Sequence, residues 1–199
     1  MAALTSDRSG NYNNATTWNP IQVPGPNDNP TIQAAHTITL AEHGFGGNLS
    51  IDGTLQLLGP GWLTLVGRMT VAGGGEFNGG TDGTLELRPT GNFILNAPGA
   101  FSVPYLRASG GKVFLQETTT IGKLAVFRNV DLRKLLLGTL VLNGRGVMIG
   151  GMATDIDASG GNPLRAYGTI DAGGNSNVVF GLRRRARAVR LFDRRAAAI

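Results

Sequence analysis

Apolar and polar residues alternate along most of this chain, in short runs separated by turns. Between positions 40 and 180 the apolar residues recur in pairs two positions apart, which is the period of a strand with one buried face. Glycine-rich turns such as Gly73-Gly74-Gly75 separate the pairs. The pattern predicts an all-β chain of short strands. The pairs are Leu49 and Ile51, Leu55 and Leu57, Leu63 and Leu65, Met69 and Val71, Leu85 and Leu87, Phe93 and Leu95, Val113 and Leu115, Leu140 and Leu142, and Val147 and Ile149.

The spacing of these strands fits either a sandwich or a solenoid, and a repeated sequence element favours the solenoid. Strand starts recur at intervals of roughly eight residues, which fits a coil of about three strands. A Gly-Thr-Leu-x-Leu element begins at Gly53, at Gly83 and at Gly138, and such near-repetition is expected where each coil lies on the previous one. We therefore predict a β-helix body over residues 41–181. A jelly-roll β-sandwich is the alternative, because short strands and glycine turns serve it equally well.

The first forty residues have the composition expected of a segment that covers the end of a β-helix. An open stack of coils ends in unpaired backbone donors and apolar side chains, which pair with another chain unless something covers them. Trp18 offers a large apolar cover, while Pro20 and Pro24 fix the backbone and remove donors. We predict that residues 1–40 form an N-terminal cap segment.

Several residues of this segment carry a family likeness: Trp18, Val23-Pro24-Gly25, Asn27-Asp28, Thr31-Ile32 and His36-Thr37-Ile38-Thr39-Leu40. Residues 10–40 resemble the start of right-handed β-helix proteins of phage particles and bacterial surfaces. Members often have Gly-Asp where this chain has Asn27-Asp28, and Gly where it has Ala35. The resemblance implies a right-handed β-helix whose work is mechanical or adhesive.

The C-terminal segment changes period. Leu182, Ala186, Val189, Phe192 and Ala196 fall on one stripe of a helical wheel. We predict a short amphipathic helix over residues 182–198 and treat 182–199 as a basic tail. One interpretation of this segment is a helix that folds back over the last coil. The other is an arm that docks on an acidic partner or on nucleic acid.

The charge of +5 is unevenly distributed along the 199 residues. Positions 1–182 hold eleven Lys or Arg against twelve Asp or Glu, which gives −1, whereas positions 183–199 hold seven Arg against Asp193, which gives +6. Arginine suits bidentate pairing with carboxylates at a protein interface, so we predict that the tail binds a partner. Its arginines are Arg183, Arg184, Arg185, Arg187, Arg190, Arg194 and Arg195.

Composition further limits the kinds of protein that this chain can be. The chain is long enough for one domain with a buried core. It has no cysteine, which excludes disulfides and thiolate metal sites. The N-terminus lacks the pattern of a secretory signal, and no apolar stretch approaches the length of a bilayer span. We therefore expect a protein made in a cytoplasm, without a membrane partner.

No catalytic constellation is evident in the sequence. No glycine loop has the spacing that cradles a phosphate. The two histidines, His36 and His43, lie near the N-terminus, where we expect a partly buried cap residue and a solvated loop residue. Asp155, Asp157 and Asp171 are the best carboxylate candidates, since alternation places the first two on one face. We expect a solvated face there, with a sugar or calcium site as the alternative.

Together these features predict a non-enzymatic structural protein of a bacteriophage-like virion, without cofactor or metal. We expect a capsid decoration or cement protein that docks on the major capsid protein, with nucleic acid reached only through the tail. A homo-oligomer is expected, a trimer being favoured, with faces sealed by Phe101, Tyr105 and Phe127. The alternatives are a tail or fibre component, a carbohydrate-binding or carbohydrate-degrading β-helix, and a surface adhesin.

Overall fold

Strand pairing joins residues that lie one coil apart. In the computed structural model, which describes residues 1–134 and 138–181, Thr31 pairs with Ser50 and Ser50 pairs with Thr70, steps of 19 and 20 residues. Among the described strands one pair, at the N-terminus, is antiparallel, and all the others are parallel. The chain forms a β-solenoid of about seven turns. The predicted solenoid is confirmed, and the antiparallel jelly roll is wrong.

The structure describes 23 strands and one short 3₁₀ helix. The first coil contains β1 (Ala3–Ser6), β2 (Gly10–Asn11), the 3₁₀ helix Ala15–Thr17 and β3 (Trp18–Asn19). The following strands are β4 (Asn29–Ile32), β5 (Thr37–Leu40), β6 (His43–Gly46), β7 (Leu49–Ile51), β8 (Thr54–Leu57), β9 (Trp62–Leu65), β10 (Met69–Val71), β11 (Glu76–Asn78), β12 (Thr84–Leu87), β13 (Asn92–Asn96), β14 (Ala100–Ser109), β15 (Lys112–Leu115), β16 (Thr119–Arg128), β17 (Asp131–Lys134), β18 (Leu140–Leu142), β19 (Arg145–Ile149), β20 (Met152–Thr154), β21 (Leu164–Tyr167), β22 (Ile170–Asp171) and β23 (Val178–Gly181).

The strands stack in three rows. Row A is a ten-stranded sheet in the order β22-β20-β17-β15-β13-β10-β7-β4-β1-β3. Rows B and C are the two halves of a 13-stranded sheet. Row B holds β2, β5, β8, β11, β18 and the first halves of β14 and β16; row C holds β6, β9, β12, β19, β21, β23 and the second halves of β14 and β16. Each coil thus runs from row A through an A–B connection, and then through rows B and C.

The core is a set of apolar ladders inside the coils. In row A, Leu49, Met69, Leu95 and Leu115 occupy equivalent positions in successive coils, and all are at most 1% exposed. Burying each such side chain contributes about 1.5 to 3 kcal/mol. Row C has a matching ladder, which includes Leu63, Leu85, Leu106 and Ala125. The apolar residues that alternate along the sequence therefore form one interior, which is continuous from coil to coil.

Two apolar assignments from the sequence are wrong. Phe127 is fully buried in the row C ladder and is not available to seal a face between subunits. Val147 and Ile149 flank Met148, which is the fully buried residue of β19, so their side chains lie on the outer surface. Phe101 is partly buried and stacks on Phe77 with ring centroids 5.3 Å apart, whereas Tyr105 lies on the outside of row C.

Glycines at the A–B connections allow the coils to stack closely. A Cβ added to any of four of them would overlap a backbone carbonyl oxygen of the neighbouring coil, and none of the four has a left-handed φ. At Gly53 the overlap is with the carbonyl oxygens of Gln33 and His36. Space, and not conformational freedom, therefore requires glycine at these positions. The four are Gly53, Gly75, Gly99 and Gly138.

We predict that Gly53→Ala destabilises the protein, because the added methyl meets backbone that cannot move without breaking the stack. The free energy of unfolding should fall by about 1 to 3 kcal/mol, as for other overpacked sites. Gly73→Ala is the matched control, since a Cβ there has no atom within 4 Å. Urea unfolding followed by circular dichroism measures both, and equal midpoints for the two variants would contradict the stacking argument.

Candidate functional surfaces

Two aromatic side chains lie at the N-terminal end of the core. Tyr12 and Trp18 are 0% and 1% exposed, and their rings meet edge to face with centroids 5.2 Å apart. The Trp18 indole Nε1 donates to the carbonyl oxygen of Tyr12 at 2.8 Å. The Tyr12 hydroxyl donates to the carbonyl oxygen of Phe45 at 2.7 Å. Burial, and to a smaller extent the charge of Asp28, raises the pKa of Tyr12, which keeps the phenol a neutral donor.

The second coil makes room for the Tyr12 ring. Its row C strand, β6, has Gly44 and Gly46 at the inward positions, where the next two coils carry leucines. A Cβ on Gly44 would come within 3.0 Å of the Tyr12 ring. The Tyr12 ring thus fills the space that row C side chains fill elsewhere. Trp18 lies in β3, which pairs antiparallel with β1 and takes up its outer edge.

The prolines of the cap segment lie in the loop that joins β3 to β4. Pro20 follows β3 directly and is exposed, while Pro24 is buried. Asp28 anchors this loop. Its carboxylate accepts from the backbone N–H groups of Ala2 at 2.8 Å and Gly25 at 3.1 Å, and from Gln22 Nε2 at 2.8 Å. The two backbone hydrogen bonds lower the pKa of Asp28.

His36 and His43 both make hydrogen bonds with hydroxyl groups. His36 Nδ1 lies 2.8 Å from Ser6 Oγ, which also accepts from the backbone N–H of Gln33 at 2.9 Å. Ser6 is 1% exposed, so this hydroxyl is closed to a substrate and serves the cap. His43 begins strand β6 and is exposed, as predicted, although it lies in a strand and not in a loop.

The candidate carboxylates near the C-terminus stabilise local turns. The expected strand through Asp155 and Asp157 is interrupted, because Asp155 has a left-handed φ of +53° and β20 ends at Thr154. Asp157 accepts from the backbone N–H of Ser159 at 3.1 Å. Asp171 accepts from the backbone N–H of Gly173 at 3.0 Å and from Asn175 Nδ2 at 2.7 Å. Within residues 1–134 and 138–181, no three His, Asp or Glu side chains are grouped to hold a metal ion.

The outer surface of row C, here called the row C face, gathers basic and apolar side chains that are far apart in the sequence. Its cations lie on β14, β16, β19 and β21 or directly after β12: Arg88, Arg107, Lys123, Arg128, Arg145 and Arg165. Two carboxylates, Asp82 and Glu86, contact this face, so it carries +4. The remaining positions up to 182 hold five cations and ten carboxylates, or −5. The apolar members are Phe45, Trp62, Tyr105, Leu124, Val126, Val147, Ile149, Tyr167 and Val179.

Two cations of the row C face lie over aromatic rings. The Arg107 guanidinium is 4.7 Å from the centroid of the Trp62 ring, and Lys123 Nζ is 5.5 Å from that of Tyr105. Each such contact contributes about 0.5 to 1 kcal/mol at an exposed site. Lys123 also forms an ion pair with Asp82 at 2.8 Å. The contacts of Arg107 with Trp62 and of Lys123 with Asp82 each link residues two coils apart, and that of Lys123 with Tyr105 links adjacent coils.

A chain of polar contacts crosses the same face at the N-terminal end. His43 Nε2 lies 2.8 Å from Thr64 Oγ1, which donates to Glu86 Oε2 at 3.0 Å. Arg88 Nε lies 3.0 Å from the same carboxylate oxygen. Thr64 and Glu86 are 2% and 8% exposed although they point outwards, because the larger side chains around them cover them. The Trp62 indole N–H beside this chain is buried and has no hydrogen-bond partner.

The arginines predicted to bind a partner, Arg183, Arg184, Arg185, Arg187, Arg190, Arg194 and Arg195, lie outside the described residues, as does the predicted helix over 182–198. The last described strand, β23, ends at Gly181 in row C. Comparisons with protein families, curated proteins and solved structures found no match. The part of the chain that the structure describes has no helix long and apolar enough to span a membrane.

We predict that Asp28→Asn destabilises the protein at neutral pH by about 1 kcal/mol, a value reduced by solvent screening. The pKa of Asp28 is lowered by folding, so its contribution is present above the unfolded pKa of about 3.9 and is lost as the pH falls through the folded value. Urea unfolding at pH 7 and at decreasing pH should show the difference from wild type disappearing. Asp7→Asn, at an exposed ion pair with Arg8, is the control; an equal effect there would refute the anchor.

A second prediction concerns Lys123, whose pKa is raised chiefly by its hydrogen bond to Asp82. Asp82→Asn should lower this pKa, which a nuclear magnetic resonance titration of the Lys123 side chain measures. Asp7→Asn, at the exposed ion pair with Arg8, should leave the titration of Lys123 unchanged. If Asp82→Asn also has no effect, the ion pair does not persist in solution.

Proposed function

We propose that this protein is a non-enzymatic structural component of a phage-like virion, a capsid decoration or cement protein that docks on the major capsid protein. The observation that carries the proposal is the separation of a stacked body from a basic tail. Positions 1–182 carry −1 and positions 183–199 carry +6. The body acts as a post on the shell, and the tail as its anchor.

The stacked body suits a mechanical role. Parallel ladders in rows A, B and C link each coil to the next, so bending the solenoid would break hydrogen bonds in more than one row at once. The hydrophobic ladders add close packing along the same axis. A post of this kind transmits load along its length, as a component that reinforces a shell must do.

The arginine tail supplies chemistry for docking. Guanidinium groups pair with carboxylates in a bidentate geometry, which fits an acidic surface on the shell. The carboxylates that a sugar-degrading β-helix would use, Asp157 and Asp171, have hydrogen bonds within their own turns, which favours the structural proposal over the carbohydrate alternative. We retain a homo-oligomer on the shell as part of the proposal, with a trimer favoured.

Co-sedimentation with shells assembled from the major capsid protein of the same genome tests this function. The probe is the full chain with all seven tail arginines changed to Gln, beside wild type and a truncation that ends at Gly181. We expect wild type to bind at low salt and to be released as salt is raised, because screening shortens the range of charge interactions to about 8 Å at 0.15 M.

The arginine variant and the truncation should both fail to bind. If they sediment with the shells as well as wild type does, the tail is not the anchor. If wild type itself stays in the supernatant at low salt, the virion proposal is overturned.

A further inference from the structure

We propose that the row C face of one copy packs against the acidic A–B ridge of a second copy. The A–B ridge is defined by six carboxylates in or beside the A–B connections: Asp52, Glu76, Glu117, Asp155, Asp157 and Asp171. The inference concerns contact between copies and does not rest on the role in a virion.

The row C face has the composition of a protein interface. Arginine, tyrosine, tryptophan and phenylalanine are enriched in interfaces, while lysine and the acidic residues are depleted. Five of the six cations of the row C face are arginines, and nine apolar side chains lie between them. Val179 is 50% exposed. Contiguous exposed apolar side chains rimmed by polar residues mark interaction surfaces, so the composition of this face favours a partner.

Row B shows what a solvated face of the same solenoid looks like. Its outward positions alternate with the buried residues Ile38, Leu55 and Phe77. In β5, β8 and β11 these positions hold Thr37, Thr39, Thr54, Gln56 and Asn78, with the ridge carboxylate Glu76 at the end of β11 next to the A–B connection. Since both rows belong to one sheet, the contrast reflects what each face meets and not the demands of strand formation.

The A–B ridge complements the row C face in charge. Of its six carboxylates, Asp52, Asp155 and Asp171 are exposed. These six carboxylates stand against a net charge of +4 on the row C face. The A–B connection is the one connection of each coil that does not adjoin row C. Two copies lying side by side can therefore present the face of one to the ridge of the other.

The same charges oppose a contact between two row C faces. Like charges set directly opposite each other cost several kcal/mol at an interface, so the expected contact is heterologous. Both surfaces run along the solenoid axis, which lets the charges align over several coils. At about 4.8 Å per strand the eight strands of row C span roughly 34 Å.

The size of the surface limits the affinity. With a width of about five residues the row C face covers roughly 500 Å², which is below the ~800 Å² that each partner buries in a standard stable complex. Association through this contact should therefore depend on protein concentration and on salt.

Charge reversal with mutual rescue tests the pairing in the full chain. The face variant carries Arg145→Glu and Arg165→Glu, and the ridge variant carries Asp52→Lys and Glu117→Lys. The control, Arg8→Glu with Arg68→Glu, changes the charge as much as the face variant does but at exposed positions outside both surfaces. Sedimentation velocity over a range of concentrations, at low and raised salt, measures association, and circular dichroism checks the fold.

Wild type and the control should associate with rising concentration, and each reversed variant should bind itself at least tenfold more weakly. An equimolar mixture of the two reversed variants should regain association, because the intact face of one meets the intact ridge of the other. The arginine tail is present in every chain, so a tail that bound the ridge would leave the face variant associating. A monomeric wild type, an unaffected face variant or a mixture without rescue would each overturn the proposal.

Discussion

Parallel hydrogen bonding between coils is the constraint on which the rest of this structure depends. Strands paired in this way lie about 4.8 Å apart, so every position in a coil lies directly over its equivalent in the next. The pairs Leu49 with Met69 and Met69 with Leu95 show that coils of different length keep the same register, and that the connections absorb the difference. Apolar ladders inside and charged columns outside both follow from this stacking, as does the exclusion of Cβ atoms at Gly53 and Gly75.

Residues of the chain itself close the N-terminal end of the described stack. At the N-terminus the short antiparallel strand β3 takes up the edge of row A, and the ring of Tyr12 fills the space beneath Gly44. At the other end β22 and β23 are the last described strands of their rows, and Ile170 on β22 is 65% exposed. Unpaired strand edges invite pairing with another chain, and at the first coil β3 and Tyr12 cover that edge and the end of the core.

Local patterns in the sequence were sufficient to predict the solenoid but not its outer surface. The pair Leu63 and Leu65 points inwards as the alternation predicts. The pair Val147 and Ile149 has the same spacing and points outwards, since period two does not say which set of residues faces the core. The repeated Gly-Thr-Leu-x-Leu element was also ambiguous: its copy at Gly53 enters row B, whereas its copy at Gly83 enters row C. Register between coils decides these cases, and register is not visible in a single linear pattern.

The row C face was beyond sequence reasoning for the same reason. Arg107 is paired with Val126, and Val147 with Arg165, but nothing near any of these residues along the chain marks them as neighbours. Net charge conceals the arrangement further, because +4 on one face and −5 on the remainder of positions 1–182 sum to −1. A body that is neutral in total therefore has a charge that changes sign around its circumference. By electrostatics alone, two such bodies attract each other in some rotations about their long axes and repel in others.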